Sequence, residues 1–122
     1  MICGIGTDIV EVNRIREAVR KWRDHFLKRV FSEAEITYCF SRSDPALHLA
    51  ARFAAKEAAI KAVSFAGPGH LSLSDIEVIN EPSGKPALKI RSAGFDSSGI
   101  KFHLSISHER SYAIASIVAE KG

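Results

Sequence analysis

The chain has 122 residues, of which 46% are hydrophobic and 25% charged, with a formal net charge of +3. This length predicts a single domain over residues 1–122, because two independent cores would need a longer chain. No apolar run approaches the ~20 residues of a membrane-spanning helix, and the first residues lack the pattern of an export signal, so we expect a cytoplasmic protein that does not span a membrane. Cys3 and Cys39 fit neither a disulfide framework nor a metal-ligand spacing.

The first segment, MICGIGTDIV, alternates between two faces over residues 2 to 10, which predicts a β-strand. Gly4, Gly6 and Asp8 share one face of that strand. Glycine inside a strand usually marks a close approach by another backbone or by a ligand. The single carboxylate on this open face is therefore a candidate functional group.

Two helical stretches follow the strand. Apolar residues recur at helical spacing over 13–30 and predict one helix, whose opposite face carries the arginines of a segment with seven basic and two acidic residues. This local excess of positive charge favours an acidic partner. The sequence SEAE then forms a capping box, with Ser32 as N-cap and Glu35 reaching back, so a second helix should begin near Glu33 and end near Ser41.

The third predicted helix, ALHLAARFAAKEAAIKAVSF at about 46–65, has no ordinary polar face. Large apolar residues line one side of it and alanines line the other. Such a helix is expected to be buried, and a buried charge is costly unless it is paired or holds an ion. Four charged residues on this helix are therefore candidate functional groups, namely Arg52, Lys56, Glu57 and Lys61.

Strand patterns replace helical ones after the sequence GPG at 67–69. Strands are predicted over 71–80, 87–92, 100–107 and 111–119, with a turn between the first two and a link rich in Gly and Ser before the third. One strand, three helices and then four strands predict an α+β fold with a mostly antiparallel sheet and helices packed on one face.

Asp8 and Glu57 are carboxylates in places where carboxylates are costly, which predicts a magnesium site. Mg²⁺ retains several waters and is commonly held by one or two carboxylates together with substrate phosphates. The plain alternative is that Asp8 ends the strand and caps the next helix while Glu57 pairs with Lys61 one turn later. Arg52, Lys56 and Lys61 would surround the metal with the positive charge that an anionic substrate requires, or else form a solvated basic edge.

Two further motifs lie beside predicted strands. The sequence GKP places Lys85 and Pro86 in a turn, which ordinary turn chemistry explains with an exposed lysine. The sequence SISHE places Ser107 and His108 just past a strand, where they could donate to a phosphate or simply face solvent. The absence of GxxxxGK[ST], GxGxxG and GxSxG removes the usual support for a P-loop NTPase, a dinucleotide oxidoreductase or a serine hydrolase.

Four separated blocks carry a more specific resemblance, namely GIGTDIVEV at 4–12, RFAAKEAAIKA at 52–62, GKP at 84–86 and SISH at 105–108. In this order and at these distances they closely resemble the small single-domain 4′-phosphopantetheinyl transferases of the holo-acyl-carrier-protein synthase family. The resemblance covers essentially the whole chain. One stretch, SAGFDSSG at 92–99, departs from the family because it is short and rich in Gly and Ser where many relatives carry a helix.

The resemblance implies a 4′-phosphopantetheinyl transferase fold and a role for each matching residue. Asp8 and Glu57 match the family's magnesium ligands, and Lys61 matches a lysine that contacts the phosphates of coenzyme A and could assist proton transfer or leaving-group charge. Family members are homotrimers that bind coenzyme A between subunits. The positions around the adenosine and its 3′-phosphate match Lys85, Pro86, Ser107 and His108, and the surface that docks the acidic helix of acyl carrier protein matches Arg14, Phe26 and Arg29.

The implied reaction is magnesium-dependent transfer of phosphopantetheine from coenzyme A to a serine of apo-acyl carrier protein. Glu57 is the candidate base, with His108 as the alternative. A small nucleic-acid-binding protein is another class open on the sequence, but few aromatics on the basic face and the low total charge disfavour it, and we expect no nucleic-acid partner. A third class that the sequence leaves open is a non-catalytic module that binds coenzyme A or a nucleotide.

Overall fold

Residues 1–66, 71–92 and 94–122 are described in a computed structural model of the chain, so the break predicted at 67–69 lies outside the described residues. The predicted α+β class is confirmed, and none of the described helices is long and apolar enough to cross a membrane. Short 3₁₀ turns follow the last helix. The main elements are β1 (Ile2–Glu11), α1 (Val12–Trp22), α2 (Asp24–Val30), α3 (Glu33–Phe40), α4 (Pro45–Ala62), β2 (Ile76–Asn80), β3 (Pro86–Ile90), β4 (Ile100–His108) and β5 (Tyr112–Lys121).

The strands pair antiparallel, as predicted, but they form two sheets where the sequence predicted one. One sheet has the order β1-β5-β4, and the other is the β2–β3 hairpin. In the larger sheet Asp8 lies opposite Ala115 of β5, and Ala115 lies opposite Ile106 of β4. The face of β1 that carries Gly6 and Asp8 is covered by α4, whereas the side chains on its other face are largely exposed. The helices therefore pack on one face of this sheet.

The contact between α4 and β1 is made by backbone atoms. A Cβ atom built at Gly4 would lie 1.7 Å from the carbonyl oxygen of Ala62, and one built at Gly6 would lie 1.9 Å from that of Ala58. No side chain larger than hydrogen fits at either position. The glycines of β1 thus mark the approach of a helix backbone, and the alanine side of α4 is the side that packs there, with Ala51, Ala55, Ala58 and Ala62 all buried.

The helix predicted over 13–30 is in fact two helices, so this prediction is wrong in one respect. The break is at Arg23, a residue other than glycine in the left-handed region with φ of 48°. With ψ of −127°, this sparsely populated conformation costs about 1–3 kcal/mol, and the change of direction lets Leu27 and Val30 of α2 reach the core. Trp22, at the end of α1, is instead 54% exposed. The regular apolar spacing continues across the break, which hides it from sequence analysis.

The other boundaries follow the sequence more closely. The capping box of α3 is confirmed, because the Glu35 backbone N–H donates to Ser32 Oγ at 3.1 Å and the Ser32 N–H donates to Glu35 Oε1 at 2.8 Å. The strand predicted from residue 71 begins only at Ile76, since Leu73–Asp75 form a 3₁₀ turn. Residues 94–99 contain no helix, in line with their departure from the family pattern.

Replacing Gly6 with alanine tests the backbone contact. Gly6→Ala is expected to lower the free energy of unfolding by about 1–3 kcal/mol or more, because the added methyl group must displace the Ala58 carbonyl or the strand. The melting temperature from differential scanning calorimetry measures this loss. Gly122→Ala adds the same atoms where nothing lies within 4 Å and serves as the control. Equal melting temperatures for the two variants would contradict the contact.

Candidate active site

Asp8 and Glu57 line one cleft of about 350 Å³ between β1, α1 and α4. The strand supplies Asp8 and the helix supplies Glu57, so the packing of α4 on β1 brings together two carboxylates that are far apart in the sequence. We call this cleft the carboxylate cleft. Its described lining residues are Asp8, Ile9, Val10, Arg14, Ile15, Ala18, Phe26, Phe53 and Glu57.

The ammonium group of Lys61 lies beside Asp8. Lys61 Nζ donates to Asp8 Oδ1 at 3.1 Å and to the carbonyl oxygen of Thr7 at 3.0 Å. The plain structural alternative for these residues is therefore wrong on both counts. The N-cap residue of α1 is Glu11, with no side-chain capping bond, and among the described residues Lys61 pairs with Asp8 while Glu57 has no ion pair or hydrogen bond from its carboxylate.

The donor set of the carboxylate cleft suits a magnesium ion. Within the ranges that the structure describes, no group of three or more His, Cys, Asp or Glu side chains could hold a metal. Mg²⁺ does fit, because it commonly uses one or two carboxylates and fills its other positions with water and substrate phosphates. Asp8 and Glu57 are the residues that would hold it.

Lys56, the neighbour of Glu57 on α4, does not face the cleft. Its side chain is fully buried, and Nζ lies 2.8 Å from Glu35 Oε1. The same ammonium donates to the carbonyl oxygens of Val30 at 2.8 Å, Leu73 at 3.2 Å and Ile76. Burial lowers the pKa of Lys56, an effect that Glu35 opposes. Because protein atoms enclose the ammonium, the prediction that Lys56 contacts coenzyme A is wrong.

Arg52 also lies away from the two carboxylates. It is five residues before Glu57, which separates the two side chains by about 140° around the helix axis. Its guanidinium carbon lies 4.3 Å from the centroid of the Tyr38 ring. Arg52 Nε is buried and has no hydrogen-bond partner among the described residues. The prediction that Arg52 surrounds the metal is therefore wrong, and its unpartnered donor marks a second polar site.

That second site is a group of cationic and aromatic side chains, which we call the cationic cluster, formed by Tyr38, Arg42, His48, Arg52 and His108. Arg42 lies 5.6 Å from the Tyr38 ring, and the ring centroids of His48 and His108 are 5.7 Å apart. Burial first, then the nearby His108, Arg42 and Arg52, lowers the pKa of His48. Two guanidinium groups and two imidazoles gathered at one place favour an anionic ligand.

The remaining predicted ligand residues lie outside the carboxylate cleft. Ser107 is exposed on β4 beside His108. Lys85 is exposed in the β2–β3 turn, next to the half-buried Pro86. Gly84 in this turn has φ of 90°, which confirms that glycine supplies the positive φ there. None of these side chains lines the carboxylate cleft of the same chain.

The residues predicted to dock a partner adjoin the two carboxylates. Arg14 and Phe26 line the carboxylate cleft itself. Phe26 and Arg29 line a neighbouring cleft of about 360 Å³, together with Trp22 and His25. A partner bound along α1 and α2 would therefore reach the carboxylates directly.

Sequence analysis missed several residues of these sites. Phe53 was assigned to the apolar side of α4, although it lines the carboxylate cleft. Arg42 lies in the break SRSDP at 41–45, where the sequence has no helical pattern to show which way it points, and His48 lies in the first turn of α4. Only their charge, next to the charged residues of α4, gave any signal.

Comparisons with known proteins agree with this fold. The family model of the 4′-phosphopantetheinyl transferase superfamily matches residues 4–117, and the chain belongs to this family. Within it, the chain is similar to holo-[acyl-carrier-protein] synthases. The one from Halothermothrix orenii is 49% identical over the whole length of both chains.

Solved structures of such synthases show the same fold. The structure from Bacillus anthracis, in complex with CoA (3′,5′-ADP), has a TM-score of 0.80 and 39% identity, with 100% of this chain and 99% of that chain covered. The structure from Helicobacter pylori, in complex with coenzyme A, has a TM-score of 0.82 and 35% identity, with 95% and 99% covered. The resemblance carried by the four sequence blocks is confirmed.

The lowered pKa of His48 makes the stability of the protein depend on pH. Because the folded-state pKa lies below the ordinary value of about 6.5, the unfolded chain binds a proton that the folded chain does not. Stability is therefore full above about pH 6.5 and falls as the pH drops toward the folded-state value. When the pH is lowered from about 7.5 to about 5.5, the melting temperature should fall more for the wild type than for His48→Gln. Equal falls would contradict the lowered pKa of His48, which burial causes first and the nearby positive groups second.

Proposed function

We propose that this protein transfers the 4′-phosphopantetheine group of coenzyme A to a serine of apo-acyl carrier protein, giving holo-acyl carrier protein and adenosine 3′,5′-bisphosphate. The observation that carries this proposal is the carboxylate cleft, in which Asp8 and Glu57 lie beside the partner-docking residues Arg14 and Phe26. A relative that is 49% identical over its whole length is named a holo-[acyl-carrier-protein] synthase, which supports the same activity.

The proposed reaction requires magnesium, with Asp8 and Glu57 as the protein ligands. Mg²⁺ supplies positive charge to the diphosphate of coenzyme A as the phosphoryl group is transferred. Lys61 adds a second positive charge from the same edge of the cleft, since it is half-exposed and its ammonium is held at Asp8. It is the residue that contacts the coenzyme phosphates in this proposal.

The chemical step needs a base for the serine of the carrier protein, and Glu57 takes this role. The serine oxygen forms a bond to the phosphorus that bears the pantetheine arm, and the bond from that phosphorus to the adenosine bisphosphate breaks. Glu57 accepts the serine proton, and Lys61 stabilises the charge on the leaving phosphate. His108 belongs to the cationic cluster, which in this proposal binds the 3′-phosphate of coenzyme A and not the reacting phosphorus, and this argues against His108 as the base.

The cationic cluster binds the 3′-phosphate of coenzyme A in this proposal. The buried Arg52 Nε has no partner among the described residues and can donate to a phosphate oxygen. This assignment agrees with the predicted roles of Ser107 and His108 near the adenosine. Lys85 and Pro86 are proposed to contact the adenosine from the β2–β3 turn.

A homotrimer with coenzyme A between subunits fits the arrangement of the two sites. The carboxylate cleft adjoins β1 at one edge of the larger sheet, whereas His108 lies on β4 at the other edge. Glu57 and Arg52 point to different sides of α4, so one coenzyme reaches both kinds of site most directly when they belong to different chains. The uncovered sheet face supports assembly as well, because its large apolar residues are exposed in the single chain, namely Ile5, Ile9, Tyr112 and Ile114.

Removing either carboxylate tests the proposed chemistry. Asp8→Asn and Glu57→Gln are each expected to slow transfer by at least about 10²-fold, because each removes a metal ligand and the second also removes the base. Mass spectrometry of apo-acyl carrier protein, incubated with coenzyme A and Mg²⁺, measures the phosphopantetheine increment. Glu33→Gln makes the same chemical change at an exposed position on α3 and is the control.

Wild-type rates in both carboxylate variants would contradict the site assignment. Binding of coenzyme A by the wild type without any mass increment would indicate the non-catalytic binding module instead. A salt-dependent shift of mixed DNA or RNA, again without carrier modification, would indicate the nucleic-acid-binding alternative.

Reversing the charge of Arg14 tests the docking surface. Arg14→Glu is expected to raise the KM for carrier protein about tenfold, and to weaken its dependence on salt, because an acidic partner is then repelled. The KM for coenzyme A should change much less. Lys89→Glu makes the same charge change on the exposed side of β3 and is the control. A KM for carrier protein that matches the control would place the docking surface elsewhere.

A further inference from the structure

Lys61 has two acceptors of different kinds in this structure. One is the backbone carbonyl of Thr7, at 3.0 Å, which belongs to the paired strand β1. The other is the carboxylate of Asp8, at 3.1 Å, which is the side chain proposed to bind a divalent cation. The first acceptor is fixed by the sheet, whereas the second is available to whichever cation binds it best.

The pairing leaves the two carboxylates of the cleft in different states. Asp8 is the more enclosed group of its ion pair, with 19% of its side chain exposed against 54% for Lys61. Glu57, in the same cleft, has no ion pair among the described residues. In the ligand-free protein one proposed metal ligand, Asp8, is therefore paired with a lysine, whereas the other, Glu57, is unpaired among the described residues.

From this arrangement we propose that Lys61 occupies Asp8 in the ligand-free protein and competes there with the divalent cation. Coenzyme A then relieves the competition, because its phosphates attract the Lys61 ammonium away from Asp8 while the Thr7 carbonyl keeps the side chain at the cleft. This inference rests on the proposed function, since it assigns the cation to Asp8 and the phosphates to Lys61.

A consequence is cooperative binding of the cation and coenzyme A. Part of any such cooperativity comes from direct attraction between a divalent cation and a diphosphate. The release of Lys61 adds a further part, which exists only when the lysine is present. By linkage, the factor by which coenzyme A tightens cation binding equals the factor by which the cation tightens coenzyme binding.

Isothermal titration of Mn²⁺ into the whole protein, with and without saturating coenzyme A and without carrier protein, tests the proposal. Lys61→Met is expected to bind Mn²⁺ about fivefold more tightly than the wild type when coenzyme A is absent, since an exposed ion pair of up to ~1 kcal/mol no longer competes. With coenzyme A present this advantage should disappear, so that coenzyme A tightens Mn²⁺ binding less in the variant than in the wild type. Lys61→Gln provides a second variant at the same position.

Arg14→Met is the matched control, because Arg14 lines the same cleft but does not bond to Asp8. It should tighten Mn²⁺ binding clearly less than Lys61→Met does and leave the effect of coenzyme A unchanged, since a charge that does not bond to Asp8 acts on the cation only from a distance and does not occupy its ligand. If Arg14→Met and Lys61→Met tighten Mn²⁺ binding equally, the proposal is wrong, because the effect is then a general repulsion between positive charges and not competition for Asp8.

The remaining outcomes separate this inference from the proposed function. If the wild type and both Lys61 variants bind Mn²⁺ equally tightly, only the competition is wrong, and the metal site stands. If none of them binds Mn²⁺, with or without coenzyme A, both the competition and the magnesium dependence of the proposed function are wrong.

Discussion

Direct contact between the backbones of α4 and β1 is the constraint on which the candidate site depends. The carbonyl groups of Ala58 and Ala62 occupy the space where side chains at Gly6 and Gly4 would lie. Glu57 and Lys61 each precede one of these alanines, and Asp8 is the next residue after Gly6 on the same face of the strand. The candidate site residues therefore lie beside direct backbone contacts, which limit how far the strand and the helix can separate.

The four charged side chains of α4 lie in three different surroundings. Glu57 lines the carboxylate cleft and Lys61 pairs with Asp8 there, Arg52 belongs to the cationic cluster, and Lys56 is enclosed with Glu35. A buried charge is tolerated only with good partners, and the Lys56 ammonium has them, because it also donates to carbonyls at the end of α2 and the start of β2. This pair holds together the elements that surround α4.

Sequence patterns predicted the parts of the molecule that depend on local chemistry. The alternation around Gly6, the capping box of α3 and the charges on an alanine-rich α4 all have direct sequence signals. The break at Arg23 has none, because an arginine in the left-handed region looks like any other helical arginine. The ion-pair partner of Lys56 also had no sequence signal, because the capping box explains Glu35 by itself. The contacts of Glu35 with Lys56 and with the Val78 N–H exist only because α3 packs against β2 and α4.

Diffraction from crystals of the protein with Mn²⁺ and coenzyme A, recorded at the manganese absorption edge, tests most directly whether Asp8 and Glu57 form one metal site. A single anomalous peak within bonding distance of both carboxylates, and next to the diphosphate, is the expected result. A peak on only one carboxylate, with the other turned away from the coenzyme, would contradict the shared site and with it the role assigned to the contact between α4 and β1.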